Sequence, residues 1–141
     1  MKIISCFIGS LLFFCLNSSA QQGKNVSDCI QLLGKSFVSD GQDHQLIING
    51  VKYTKLNLLF YPQFRYKVIA CSNLNSKVEM RLTDNNGIVC YSNANNQFSN
   101  QWEFVFSNPM NATIEIRLLD SSLKEESIRL IVGYKSIVTN P

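Results

Sequence analysis

Cysteines, one histidine and scattered carboxylates are the side chains of this chain that could do covalent, metal or acid–base chemistry. Cys6 and Cys15 fall in an N-terminal apolar run, which leaves Cys29, Cys71 and Cys90. In an oxidising compartment two of these would pair and one thiol would be left over. Strand parity bears on the choice, because Cys71 has the opposite parity to Tyr66, Val68 and Ala70, whereas Cys90 shares the parity of Ile88 and is expected to face the core. Parity therefore favours Cys29 with Cys71 over the other two pairings. A nucleophilic cysteine would need an activating base. His44 is the sole imidazole, which provides neither a multi-histidine zinc site nor a relay partner. The sequence assigns no catalytic residue, no metal ligand and no cofactor.

Carboxylate and aromatic patterns give weaker leads. Glu103 and Glu115 could suggest glycoside hydrolysis, but both fall at outward strand positions, where Arg117 and Arg129 are expected to neutralise them. Asp84-Asn85-Asn86-Gly87 starts like a calcium loop, yet Asn95 stands where the closing glutamate belongs, so it reads as a tight turn. Phe60, Tyr61, Phe64 and Tyr66 flank Pro62, and rings exposed there would offer flat apolar faces with polar edges to a sugar. Tyr61 and Phe64 are the candidate ligand-binding aromatics, against the alternative of a loop packed onto the core. Asn25-Val26-Ser27 and Asn111-Ala112-Thr113 match glycosylation sequons.

The elements that must position these residues begin with an export signal over residues 1–20, in which Lys2 precedes an apolar run that ends at Ser18-Ser19-Ala20. That run is broken by Ser5, Gly9 and Ser10, too short to span a bilayer, and no later segment reads as a membrane span. Residues 21–27 read as a polar tether, and residues 28–141 as one domain. At 45% apolar and 16% charged the chain should fold by itself. Its net charge of +3 is scattered rather than clustered, which argues against nucleic acid as a partner.

One short helix is expected from Asp28 through Cys29, Ile30 and Leu33 to a stop at Gly34. Asn49-Gly50 predicts a hairpin joining strands at 46–48 and 51–60. Alternation then predicts strands at 64–71, 78–82, 88–91, 102–106, 114–118 and 128–132, with solvated loops at 93–100, 107–111 and 120–126. About eight strands at this spacing indicate an all-β antiparallel sandwich, jelly-roll-like in style. The predicted core is Val68, Met80, Leu82, Trp102, Phe104, Phe106, Ile114, Ile116, Leu118, Leu130 and Val132.

Ser39-Asp40-Gly41-Gln42, Tyr66-Lys67-Val68-Ile69-Ala70-Cys71, Leu82-Thr83-Asp84-Asn85-Asn86-Gly87-Ile88-Val89 and Trp102-Glu103-Phe104-Val105-Phe106 resemble a family of small exported bacterial proteins of uncharacterised function. The resemblance spans residues 29–134 and implies a jelly-roll-like sandwich; it carries over no catalytic or ligand residue. The expectation is a non-enzymatic periplasmic or extracellular module that binds a glycan, an envelope component or a protein. One alternative is a structural or assembly protein of the envelope, pairing through a sheet edge or through outer apolar positions such as Ile69, Val105 and Ile131. A hydrolase or peptidase inhibitor is the third reading.

Overall fold

A computed structural model describes residues 26–74, 76–120 and 122–138. The expected export signal and Asn25 lie outside the described residues. The helix α1 spans Val26–Gln31, so it begins within the segment read as a tether. After it, hydrogen bonds from Leu32, Leu33 and Gly34 back to Cys29, Ile30 and Gln31 tighten the chain until Gly34 ends it at φ +74°. Among the described residues no helix is long and apolar enough to cross a membrane.

The rest is an antiparallel β-sandwich, with nine strands among the described residues: β1 (Val38–Ser39), β2 (His44–Asn49), β3 (Thr54–Phe60), β4 (Phe64–Ser72), β5 (Val78–Thr83), β6 (Val89–Ser92), β7 (Gln101–Val105), β8 (Met110–Leu118) and β9 (Glu125–Ser136). The first sheet runs β7-β4-β9, and the far edge of β9 is shared: β1 pairs opposite Gly133 and Tyr134, and β2 opposite residues 125–130. The second sheet runs β3-β8-β5-β6. One face of every long strand turns inward, so the period of two in the sequence becomes the core directly. Ile48, Val68, Met80, Ile114, Ile116, Ile128 and Leu130 are entirely buried, each contributing about 1.5–3 kcal/mol relative to exposure.

Four expectations change. The Asn49-Gly50 turn forms, with Gly50 at φ +57°, but its flanking strands do not pair. It carries the chain across the sandwich instead, from β2 on the edge of β9 to β3 on the edge of β8. The turn residues dictate only local dihedral angles; strand pairing is decided by the longer ladders on β9 and β8. Ile88 and Cys90 are exposed rather than inward, because the register shifts between Leu82 and Thr83 where β5 meets β6. Ile69 and Ile131 are not free outer positions, since α1 covers them: Cys29 and Leu33 pack there with Cys71 and Phe37, and Cys29 is disulfide-bonded to Cys71 with Cα atoms 6.2 Å apart. Of that outer apolar set only Val105 is exposed.

The fourth is Asn93, in a loop expected to be solvated. It is fully buried, at the start of a short 3₁₀ helix (Asn93–Asn96). β6 pairs with β5 only at residues 81–83, which leaves the outer edge of Val78 and Met80 without a strand. Asn93 fills that gap: its Oδ1 accepts from Met80 N at 2.8 Å, and its Nδ2 donates to Val78 O and Ser99 O at 3.0 Å each. Asn93→Ala would leave all three backbone groups unmatched in the interior and should cost about 3 kcal/mol. The check is the urea midpoint followed by Trp102 fluorescence; a change below about 0.5 kcal/mol would mean that water replaces the amide.

Candidate functional site

β3 ends on Leu58, Leu59 and Phe60, and Pro62 turns the chain into β4 at Phe64. The residue before proline is held extended. Tyr61 is further fixed by its own backbone, whose N–H donates to the Tyr66 hydroxyl oxygen at 2.9 Å. Phe60 is buried against Tyr66, Phe104 and Phe106, with ring centroids 4.8–5.2 Å away. Phe64 lies 5.3 Å from Tyr134 and 6.2 Å from Tyr66, and Tyr66 and Tyr134 are direct partners in the β4–β9 ladder.

Residues 40–43 leave the ladder between β1 and β2 and wall the opposite side, held by the Asp40 N–H on Val132 O at 2.9 Å. Asp40, Gln42, Leu58, Leu59, Tyr61, Phe64 and Tyr134 thereby surround an open cleft of about 410 Å³. That volume is within the range of ligand pockets, about 300–1,000 Å³. Both sequence-predicted aromatics line it: Tyr61 is 46% exposed and Phe64 partly buried. Leu59, Asp40, Gln42 and Tyr134 also belong to it and were not singled out as site residues. The signal available for Tyr134 was its parity with Leu130 and Val132; Asp40 stood in the Ser39-Asp40-Gly41-Gln42 motif, but nothing local tied it to the aromatics, which it reaches through a loop distant in sequence.

Among the described residues Asp40 is the one charged side chain lining the cleft. Its Oδ1 accepts from Gln42 N at 3.0 Å, and its Oδ2 lies 2.8 Å from Nε2 of the buried His44. This acid–imidazole pair has no hydroxyl or thiol bonded to it among the described residues. The basic side chains of the same strands point away from the cleft. Arg65 is paired with Lys135 in the β4–β9 register, and the amines of Lys67 and Lys135 sit 5.6 and 4.6 Å from the Phe37 ring on the other face.

The remaining candidates are dispersed. Cys90 is a free, exposed thiol on β6. Asn111 is exposed at the start of β8. The Asp84 turn forms around Oδ1 of Asp84, which accepts from Asn86 N and Ile88 N. Among the described residues no group of three or more His, Cys, Asp or Glu is placed to hold a metal ion.

Glu103 and Glu115 lie on different sheets, and their partners differ from expectation. Register sets Glu115 between Lys55 and Arg81, at 2.9 and 2.7 Å, while Arg117 bonds Glu79 at 2.7 Å. Arg129 pairs with Asp43, and Glu103 only approaches Arg65. Tyr53 caps this outer face, donating to Glu79 at 2.8 Å beneath the Arg81 guanidinium. Lys55 hydrogen bonding, aided by Arg81, holds the Glu115 carboxyl below its usual range. Burial alone would raise Glu79, but bonds from Tyr53 and Arg117 outweigh it and lower that group too.

No family model matches the chain, and a search of curated proteins returns no match. Among solved structures, the chain is similar to a de novo designed double-stranded β-helix determined by solution NMR, at 13% identity and a TM-score of 0.37, over 67% of this chain and 99% of the design.

Tyr61→Ala should leave stability within about 0.5 kcal/mol of the parent because about half of its surface is already solvated and its backbone bond is kept. Phe64→Ala should cost more, about 2 kcal/mol, through lost contacts with Tyr66 and Tyr134. Thermal unfolding of the two variants side by side would check this ordering. A depressed carboxyl pKa gives stability that is present above the unfolded value, about 4.3, and is lost as pH falls through the folded one. Glu115→Gln should therefore lower stability at neutral pH and flatten the acid limb of a stability–pH curve below about pH 4; an unchanged limb would remove Glu115 from the acid response.

Proposed function

We propose that this protein is an exported, non-enzymatic binding module that takes part of a glycan or another envelope component into the cleft at 58–66. The observation that carries the reading is the convergence of Tyr61, Phe64, Tyr66 and Tyr134 from two β-strands and a turn around one open cavity whose lining is mainly apolar. Such rings offer large contact area at little conformational cost, and their hydroxyls supply orientation. The residues 1–20 support export into the periplasm or the medium. A non-enzymatic role is supported by the cleft's chemistry, since its single carboxylate is occupied by His44 and by a backbone amide. Binding through this cleft involves neither nucleic acid nor a membrane span.

A second reading, assembly through strand addition, is favoured by β6, an edge strand with no charged residue, in which Val89 is 46% exposed, following Ile88 at 62%. The two readings separate in one experiment. The protein and its Tyr61→Ala variant are passed over a glycan array and over envelope extract, and their size is followed with concentration. Capture by a defined ligand, lost in Tyr61→Ala, is the expected result. Absence of any ligand together with concentration-dependent oligomers would transfer the function to the β6 edge.

A further inference from the structure

The cleft's lining has an asymmetry that bears on what it can hold. Tyr61, Phe64, Tyr66 and Tyr134 bring π systems to it, and among the described residues Asp40 brings the one charged side chain and no lysine or arginine lines it. The protein has more basic than acidic residues, with a net charge of +3, yet here strand parity sends Arg65, Lys67 and Lys135 to the other face. An anionic group entering the cleft would therefore meet a carboxylate and electron-rich aromatic rings, with no lysine or arginine among the described residues lining it.

Ring geometry favours the opposite sign. Phe64 meets Tyr134 at 73° and Tyr66 at 67°, so these rings form a corner and do not stack face to face on one another. A corner of rings beside a carboxylate is the arrangement that attracts an alkylated ammonium, whose charge is spread over methyl or methylene groups and needs no hydrogen-bond acceptor. The cavity of about 410 Å³ is also larger than an ammonium head group, which leaves space for the molecule that carries it.

We infer that the cleft formed by Tyr61, Phe64, Tyr66 and Tyr134 recognises an alkylammonium group, with Asp40 as its counter-charge. The inference rests on the cleft being a binding site and specifies the part of the ligand that enters it. Three hydroxyls, on Tyr61, Tyr66 and Tyr134, and the Gln42 amide remain to orient the remainder of the ligand; the Tyr66 oxygen accepts from Tyr61 N and still has its own proton to donate.

The test is calorimetric titration of the intact protein with choline and with the uncharged alcohol in which carbon replaces the choline nitrogen. The two have the same shape, so the difference reports charge alone and needs no variant. Choline should bind about tenfold more tightly than the alcohol, with Asp40→Asn removing most of that preference. Vesicles of phosphatidylcholine are run beside vesicles of phosphatidylglycerol. Selective retention on the former assigns the ammonium to a lipid head group; binding of free choline without retention assigns it to a soluble or glycan-borne amine, and both support the inference. Equal affinity for choline and the alcohol overturns it. Binding of neutral oligosaccharides with Tyr61→Ala sensitivity, and no binding of choline, overturns it while leaving the binding module standing; no ligand at all in the cleft overturns both.

Discussion

β9 carries the constraint on which the rest of the first sheet depends. One edge is occupied by β4 along most of its length, in register from Phe64 opposite Ser136 to Ser72 opposite Ile128. The other edge has to serve two strands, β1 near its end and β2 along its first half. Chain connecting two strands on one edge must leave the ladder between them, and residues 40–43 do so while Asp40 keeps a single bond to Val132. The wall of the cleft is thus a by-product of how β9 is shared. Both faces of β9 are committed as well. Ile128, Leu130 and Val132 enter the core, and Ile131 lies beneath Leu33. At Gly133 a Cβ would sit 2.6 Å from a Leu33 methyl and 3.2 Å from Val38 O, so a side chain there would force Leu33, just after α1, to shift.

Alternation made most of this architecture legible. Every residue of the predicted core belongs to the central cluster, with Phe104 and Phe106 partly buried at its margin. The strands that read most clearly, at 102–106, 114–118 and 128–132, became β7, β8 and β9 because a period of two has one physical solution when one face must be buried. β1 escaped notice since two residues carry no period. The hairpin expectation failed because Asn-Gly specifies a turn, whereas partner choice belongs to residues sixty or more positions away, such as Ile114 and Ile128. Asn93 escaped for a related reason: its environment is an incomplete strand edge, visible only when β5 and β6 are laid side by side. At the cleft, the aromatic cluster was readable around Pro62, but Asp40, Gln42 and Tyr134 come from other parts of the chain, and no local pattern joins them to it.

The two outer faces use different means. On the first sheet a helix and the Cys29–Cys71 link cover apolar positions. On the second, charges are arranged crosswise, Lys55–Glu115–Arg81 beside Glu79–Arg117, with the Tyr53 ring beneath two guanidinium groups. Their carboxylates are buried while the cations reach the surface, and they also fix register: sliding β8 by one residue would exchange Glu115 and Arg117 for Ile116 on this outer face.

Tyr61 has a consequence for how this surface can change over time. It is tied down by its main chain, through a bond to the Tyr66 hydroxyl that any residue except proline could make, while its ring hangs into solvent beside the cavity. Affinity and foldedness are therefore separable at this position. A lineage could exchange the ring for another side chain and acquire a new preference without first passing through a destabilised intermediate, whereas the same exchange at Phe64 or Tyr66 would be filtered by folding before selection for binding could act.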